Sequence, residues 1–422
     1  MANRFLERLR ETDKNGLFTP SQTSISYSTG FTVLDYRNGY RITSMDRNEN
    51  VISSYNALGV VGGTFVTAIG KSGTAKSTLL IQIAANIVRP FGDNAFVQYY
   101  DLEQALSYTR IKNVTGFSQA DLEDKFVLKQ EKNYIEDIFD AIVHIANTKE
   151  KYKEEFMYDT NLLDEFGRPI RCYVPTVIVL DSIPTIASKD SDGKTAMEGG
   201  TYANRIAKAL AQFYKRLMPI IKTYNITVMA INHINSKIEI NPFAKTQPQL
   251  LTMKMDESMP GGNAPIYYAN NIFKLTSIGS EKYTMEEDGF DGFLSRCDLL
   301  KSRTNKAGQF CHLVYNQVTG FDPVLSQLRF ATESGLVEGR NPYRYFTGYK
   351  DDKFDSRKFR EAFTESDKIR EALFTTTIPM LEKQLNNSVG QLNDSEAFLK
   401  CMENLVISQE GEEFENEAIK IA

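Results

Sequence analysis

The stretch Gly70-Lys71-Ser72-Gly73-Thr74-Ala75-Lys76-Ser77-Thr78 restricts what this chain can fold into more than any other. An apolar run, Thr64-Phe65-Val66-Thr67-Ala68-Ile69, precedes it and predicts a buried strand. A helical run from Thr78 to Asn86 follows. Strand, glycine-containing loop, Lys-Ser and helix form the layout of a phosphate-binding loop, in which loop amides and the helix N-terminus cradle an anion. Gly70, Ser72, Gly73, Thr74 and Ala75 build the cradle, and Thr78 opens the helix. Lys76 is placed to reach the β- and γ-phosphates of a nucleotide, and Ser77 to ligand Mg²⁺. Ala75 stands where the last glycine before the lysine is normally found.

The chain has 422 residues, enough for two or three domains' worth of core. With 41% hydrophobic and 24% charged residues it reads as a globular protein. No run approaches the roughly 18 apolar residues of a membrane helix. The start, Met1 to Arg10, lacks an apolar signal-peptide core. Cys172, Cys297, Cys311 and Cys401 form no CxxC pair, and read as reduced thiols of a cytoplasmic protein. The net charge of −5 gives no support for nucleic-acid binding, so any such binding must come from local geometry.

Three further apolar runs each end in polar groups. Ala95–Tyr100 leads into Asp101-Leu102-Glu103. A carboxylate at the C-terminal end of a strand lies on the edge where α/β sheets bind ligands. Glu103 is thus a candidate general base for a hydrolytic water, or else a solvated acid at a helix start. Thr176–Leu180 ends in Asp181, which after a phosphate loop predicts a carboxylate holding Mg²⁺ through water. Thr227–Ile231 ends in Asn232 and His233, and a sensor of the γ-phosphate is favoured for His233 over a core histidine. Tyr108, on the helix after Glu103, is open to stacking on a base or to packing on the helix face.

The intervening segments predict loops and small elements. A short amphipathic helix carrying Phe5, Leu6 and Leu9 opens the chain, as a frayed end or as an arm docking on a neighbouring subunit. Residues 26–63 predict short strands and turns, and 150–172 a surface insertion. A polar loop spans 187–200, before a helix bearing Arg205. A long irregular segment, about 235–265, holds Met253, Lys254, Met255 and Met259, then Gly261-Gly262-Asn263. Long loops inside compact domains are usually functional or disordered, and adjacent glycines let amides approach a phosphate. Lys301 to Lys306 reads as a cationic turn after a strand. From 320 to 405 the pattern becomes helical, and the end is acidic from Glu410 to Glu417. The expected division is an N-terminal arm and linker over 1–50, an ATPase core over 51–335, and a small α-rich C-terminal domain with an acidic tail over 336–422.

Taken together, these motifs resemble the RecA-type recombinases, in particular the phage UvsX-like branch, over about residues 65–335. They are the phosphate loop, Asp101-Leu102-Glu103-Gln104-Ala105-Leu106, Val179-Leu180-Asp181-Ser182, Ala230-Ile231-Asn232-His233 and Pro260-Gly261-Gly262-Asn263-Ala264-Pro265. The resemblance implies an α/β fold: a RecA-like P-loop ATPase core with a short N-terminal helical arm and a small C-terminal α-rich domain. It implies ATP and Mg²⁺ as cofactors, single-stranded and double-stranded DNA as partners, and self-association into a helical filament. Single-strand-binding and mediator proteins become candidate partners.

The resemblance further implies that Lys76, Ser77 and Asp181 bind nucleotide and metal, that Glu103 activates water, and that His233 senses the γ-phosphate and moves the DNA loop. Lys301 and Arg303 match cations that reach into a neighbouring subunit's ATP. The loops at 187–200 and 235–265 correspond to DNA-binding loops, with Arg205, Lys254, Met255, Gly261, Gly262 and Asn263 as contacts. A Met from the 253–259 group is a candidate wedge between stacked bases. The implied activity is ATP-dependent homologous pairing and strand exchange. The alternatives are a hexameric helicase or ring motor on the same core, which has no need of the Gly261-Gly262-Asn263 turn, and a non-catalytic regulatory paralogue.

Overall fold

The structure is a computed structural model and describes residues 4–12, 23–46, 48–131, 134–189, 199–236, 248–250, 252–278 and 292–386. Among these, nine strands form one sheet: β1 (Phe65–Gly70), β2 (Phe96–Asp101), β3 (Phe126–Lys129), β4 (Thr176–Asp181), β5 (Ile226–His233), β6 (Asn271–Ser277), β7 (Gly292–Ser302), β8 (Phe310–Asn316) and β9 (Gly320–Asp322). Their order is β9-β8-β7-β6-β1-β5-β4-β2-β3. The six strands from β6 to β3 in that order run parallel, and β7, β8 and β9 continue the sheet antiparallel. Both β1 and β4 are buried at every residue, as parallel strands covered on both faces must be.

Each face of the sheet has its own cluster of buried side chains. On one side, helix α2 (Lys76–Val88) contributes Leu79, Leu80, Ile83 and Ile87, and α3 (Tyr108–Thr115) contributes Ile111 and Val114. On the other, α4 (Ile135–Lys151) and α5 (Gly199–Thr223) supply Ile138, Ile142, Leu210, Leu217 and Ile221. A short helix, α6 (Ala264–Tyr268), packs on α5. The strands therefore end in two opposite edges, and all six parallel strands point their C-termini to one of them.

Three expectations change on contact with the fold. Residues after 25 are no linker: Ile25, Tyr27, Phe31, Val33 and Leu34 are buried in the first cluster, and Thr32–Asn38 is a helix. The 150–172 insertion contains a hairpin, Met157–Leu163 with Pro169–Tyr173. Its turn is held against the Tyr40–Met45/Val51–Ala57 hairpin by Met45 N to Glu165 O (3.3 Å) and Ser44 Oγ to Asp164 O (2.6 Å). The stretch after 335 is not helical at first. Val337–Arg340, Tyr343–Phe346 and Phe354–Asp355 form a three-stranded sheet, followed by helices Phe359–Glu365 and Asp367–Asn386. Aromatic residues favour a pleated surface, and Phe346, Phe354 and Phe359 pack edge-on and tilted against one another. Their cluster includes Leu294 of β7 and Val314 of β8, so core contacts cross the expected boundary near 335.

Candidate nucleotide site and its neighbours

The candidate phosphate loop leaves β1 at Gly70 and enters α2 at Lys76. A Cβ at Gly70 would stand 2.6 Å from the Leu275 carbonyl, so β6 leaves no room for a side chain there. Gly73 has φ +78° with open space around it; here glycine serves the backbone conformation alone. Ala75 also takes a left-handed conformation, φ 62° and ψ 29°. This explains the usual glycine at that position, and shows that alanine satisfies the turn at a steric cost. Thr74 Oγ1 donates to the Lys71 carbonyl (2.9 Å) and Lys76 Nζ donates to the same oxygen (2.7 Å), closing the loop on itself. Ser72 is exposed on its crown.

Charge at the site is tightly coupled. Burial lowers the Lys76 ammonium below the ordinary lysine range, and Asp181 and Glu103 oppose that shift. Burial raises the Asp181 carboxyl, while hydroxyls of Tyr99 and Ser77 hold it back. Tyr99 donates to Asp181 Oδ2 at 2.6 Å, and burial drives its own phenol far up, so it stays a donor. Ser77 and Asp181 thus present adjacent oxygens, the donor type that Mg²⁺ takes. Among the described residues no three His, Cys, Asp or Glu gather as a metal cage. A two-oxygen site completed by water and phosphate is the form in which Mg²⁺ is usually held.

Glu103 follows β2 and is held from two sides. Ser182 Oγ donates to Glu103 Oε1 (2.6 Å), and His233 Nε2 lies 3.4 Å from the same oxygen. The strands β2, β4 and β5 bring Glu103, Asp181, Ser182 and His233 to the edge where β1 delivers the loop, since His233 pairs with Gly70 and Asp181 with Asp101. Asp101 itself is structural: buried, it accepts from Leu106 N and Gln130 Nε2, both at 2.8 Å.

Asn232 joins this edge to the glycine turn. Its Nδ2 donates to the Pro260 carbonyl (2.9 Å), and its Oδ1 accepts from His233 N (2.8 Å). Gly261 and Gly262 follow with φ +92° and +75°, packed against Leu210 and Ala207 of α5. These glycines serve a tight turn against a helix. Asn263 precedes α6 and is exposed, as is Lys254. Arg205 is exposed on α5 and lines a cavity of about 460 Å³ with Glu136, Phe139 and Arg216.

The three-methionine idea needs correction. Met253 and Met259 are buried with Ile69, Ile266, Ile272 and Leu300, and only Met255 is exposed, at 65%. A polar loop that crosses a sheet edge still needs anchors, and two of its apolar residues serve as those. Most of the 187–200 loop and residues 237–247 lie outside the described residues, as does the acidic tail.

Lys301 and Arg303 are not brought to the loop. Lys301 is level with Ile272 and hence with Thr67. Arg303 N bonds Asn270, whose own N bonds Phe65, the first residue of β1. At ~3.3 Å per residue, Arg303 lies about 16 Å down the strand from Gly70. Lys301 Nζ donates to the Ile266 and Tyr267 carbonyls (2.7 and 2.8 Å), and Arg303 Nη2 to Tyr267 (2.9 Å), so both cations cap the end of α6. Burial, with Arg303 adding repulsion, pulls Lys301 down to about 8.

Sequence reasoning missed Ser182 and Tyr99. Ser182 had a signal, since it directly follows Asp181; Tyr99 had none beyond its place in a buried strand. Tyr108, 49% exposed, stands at the start of α3, and its hydroxyl accepts from Leu128 N of β3 (3.4 Å).

Two known proteins are similar to this chain. No family model matches the chain. Protein RecA of Ruminococcus albus is 22% identical over 303 residues, which cover 70% of this chain and 62% of that protein. The recombination and repair protein of Enterobacteria phage T4 is 29% identical over 163 residues, 38% of this chain and 37% of its own length. The chain is related to the RecA-type recombinases. It spans under two thirds of the length of either relative. Among the described residues no helix is long and apolar enough to cross a membrane.

Proposed function

We propose that this RecA-related chain is a DNA-dependent ATPase that polymerises on single-stranded DNA and catalyses homologous pairing and strand exchange. The observation that carries the reading is the meeting, at one sheet edge, of the phosphate loop, Asp181 and the Glu103–Ser182–His233 group, with Asn232 tying that group to the Pro260-Gly261-Gly262 turn. Loop amides and Lys76 would hold the phosphates of ATP, and Ser77 with Asp181 would hold Mg²⁺, which neutralises phosphate charge. Glu103 takes a proton from the attacking water, and Ser182 fixes the carboxylate oxygen that does so. His233, on the same oxygen, registers what occupies the γ-phosphate position and passes it through Asn232 to the turn.

Filament formation is part of the proposal. Lys301 and Arg303 lie at the opposite edge from their own loop, where they would face a neighbouring copy's ATP. Helix α1 (Arg4–Thr12) has no buried residue, and its Phe5 is 74% exposed, as an arm docking on another copy would be. Backbone contacts to phosphates, made through loop amides, let an acidic protein bind single strands without reading sequence. The likeness to the T4 protein supports the UvsX-like character and a phage source as part of this reading.

The test is ATP hydrolysis with and without single-stranded DNA, comparing wild type with Lys76→Ala and Glu103→Gln. Strong stimulation by single strands, lost in both variants, supports the reading. Hydrolysis indifferent to DNA, or closed rings in place of filaments in electron micrographs, sinks it.

A further inference from the structure

The 150–172 insertion walls a cavity of about 510 Å³ at the sheet edge opposite the candidate phosphate loop. Gly62, Tyr173 and Asn225 in its wall stand within three residues of the starts of β1, β4 and β5. Three parts of the chain build it. The insertion hairpin brings Arg171, and the short helix Lys153–Phe156 that leads into the hairpin brings Lys153. The last turn of α5 brings Lys222. The segment at Thr23 and Ser24 forms another side, and Thr23 Oγ1 donates to Glu165 Oε2 in the hairpin turn (2.6 Å). All three cations are exposed, and among the described residues none of them makes an ion pair. Glu150 is the one carboxylate among the described wall residues, and it accepts from Tyr173 Oη at 2.7 Å.

We propose that this cavity binds a compact phosphate anion, a linear di- or triphosphate, through Arg171, Lys153 and Lys222. The physical reason is the gathering of one sign of charge on a hollow. Like charges repel, and a concave wall of one sign focuses its field on the anion that enters. The planar fork of Arg171 matches two phosphate oxygens at once, while the two ammonium groups act as point charges on others. The hydroxyls of Ser24 and Thr223 line the same hollow as neutral donors. A cation in the last turn of a helix also complements the helix dipole. That end of α5 already has one, since Lys149 Nζ donates to the Tyr224 carbonyl (2.9 Å), and a dipole does not account for Arg171 on a strand. The volume is that of a small-molecule site. A single strand of nucleic acid needs a groove that tracks several nucleotides, and here the bond from Thr23 to Glu165 ties two sides together. The site does not rest on the ATPase reading: the six residues of β1, at ~3.3 Å each, put about 20 Å between it and the loop.

The experiment counts inorganic tripolyphosphate bound per chain by titration calorimetry. It uses wild type, Lys76→Ala, and Arg171→Ala or Lys222→Ala in each of those two backgrounds. Lys76→Ala should keep one equivalent. Arg171→Ala and Lys222→Ala should each weaken one equivalent about tenfold in either background, the scale of one charge-assisted hydrogen bond. Lys222→Arg, which keeps the charge, should stay near wild type. ATP hydrolysis in Arg171→Ala should remain within about twofold, and its melting temperature should hold, since the residue is exposed. In the Lys76→Ala background, ATP binding no tighter than tripolyphosphate names a free polyphosphate as the ligand, and tighter ATP names a nucleotide. Loss of all tripolyphosphate binding in Lys76→Ala, or binding indifferent to both Arg171→Ala and Lys222→Ala, overturns the proposal. So does an oligothymidylate that displaces tripolyphosphate at lower concentration than ATP does, which would mark a nucleic-acid surface. A wild type that binds one equivalent, kept by Lys76→Ala and weakened by Arg171→Ala, supports this site and overturns the ATPase reading alone.

Discussion

Asn232 donates its side-chain amide to the carbonyl of Pro260 across 2.9 Å, and this bond joins the strand that ends in His233 to the turn at Gly261-Gly262. If the bond couples nucleotide state to DNA, Asn232→Ala should leave DNA-free hydrolysis within about twofold and cut the stimulation by single strands about tenfold, the scale of one buried hydrogen bond. Steady-state hydrolysis with and without oligonucleotide checks this. Full stimulation in the variant would remove Asn232 from the coupling.

Lys301 gives a pH prediction. Burial holds its pKa near 8, below the ordinary 10.5, so its charge is lost as pH rises through about 8. A cation serving a neighbour's ATP would then fail, and DNA-stimulated hydrolysis should fall on that limb. Lys301→Arg should keep activity to higher pH, because a guanidinium does not titrate there. The same limb in both proteins would assign the titration elsewhere.

Lys149 makes a stability prediction. It is buried, with Nζ donating to the carbonyls of Val174 (2.7 Å) and Tyr224 (2.9 Å), and burial pulls its pKa to about 7. The unfolded chain keeps the ordinary 10.5, so between about 7 and 10.5 the unfolded state binds more protons. Stability should therefore gain from this group as pH rises above 7, by a few kcal/mol at most on the scale of ~1.4 kcal/mol per unit. Urea titrations at pH 7 and 9.5 should show this component in wild type and not in Lys149→Met.

The methionines divide cleanly. Met253→Ala should cost about 2–5 kcal/mol of stability, as buried methionines do, and Met255→Ala less than about 0.5 kcal/mol. Only Met255 is then a fair test of wedging. If Met255→Ala extends and pairs DNA as wild type does, no methionine of this group is the wedge.

At Ala75 the left-handed backbone costs about 1 kcal/mol, and glycine would relieve it against a greater loss of chain entropy on folding. Ala75→Gly should change stability by less than about 1 kcal/mol and keep nucleotide binding, whereas Ala75→Val should destabilise clearly. Thermal melts of the two variants decide it.

What the chain revealed before its fold was known followed physical rules of short range. A strand, a loop and a helix are local, so Gly70 to Thr78 could be read directly. Asp181, Glu103 and His233 were readable because parallel strands share one C-terminal edge, whichever order the strands take. Side chains that act through a partner far along the chain were hidden: Ser182 reaches back to Glu103, and Tyr99 reaches forward to Asp181. The methionines misled because three similar residues in one loop look alike until the strands beneath them are known. Tyr343 to Phe363 misled for a related reason, since an aromatic cluster says that a core exists and not which backbone builds it.

The placement of Lys301 and Arg303 at the far ends of the strands carries a consequence for counting. A copy cannot fold its own two cations onto its own Lys76. In a head-to-tail row of copies, then, the copy at one end keeps a loop with no donor of cations, and the copy at the other offers cations to nothing. Output per molecule would start near zero for a lone copy and climb toward a plateau as rows lengthen. Dilution alone would silence the protein, and the two tips of every row would be chemically unlike each other.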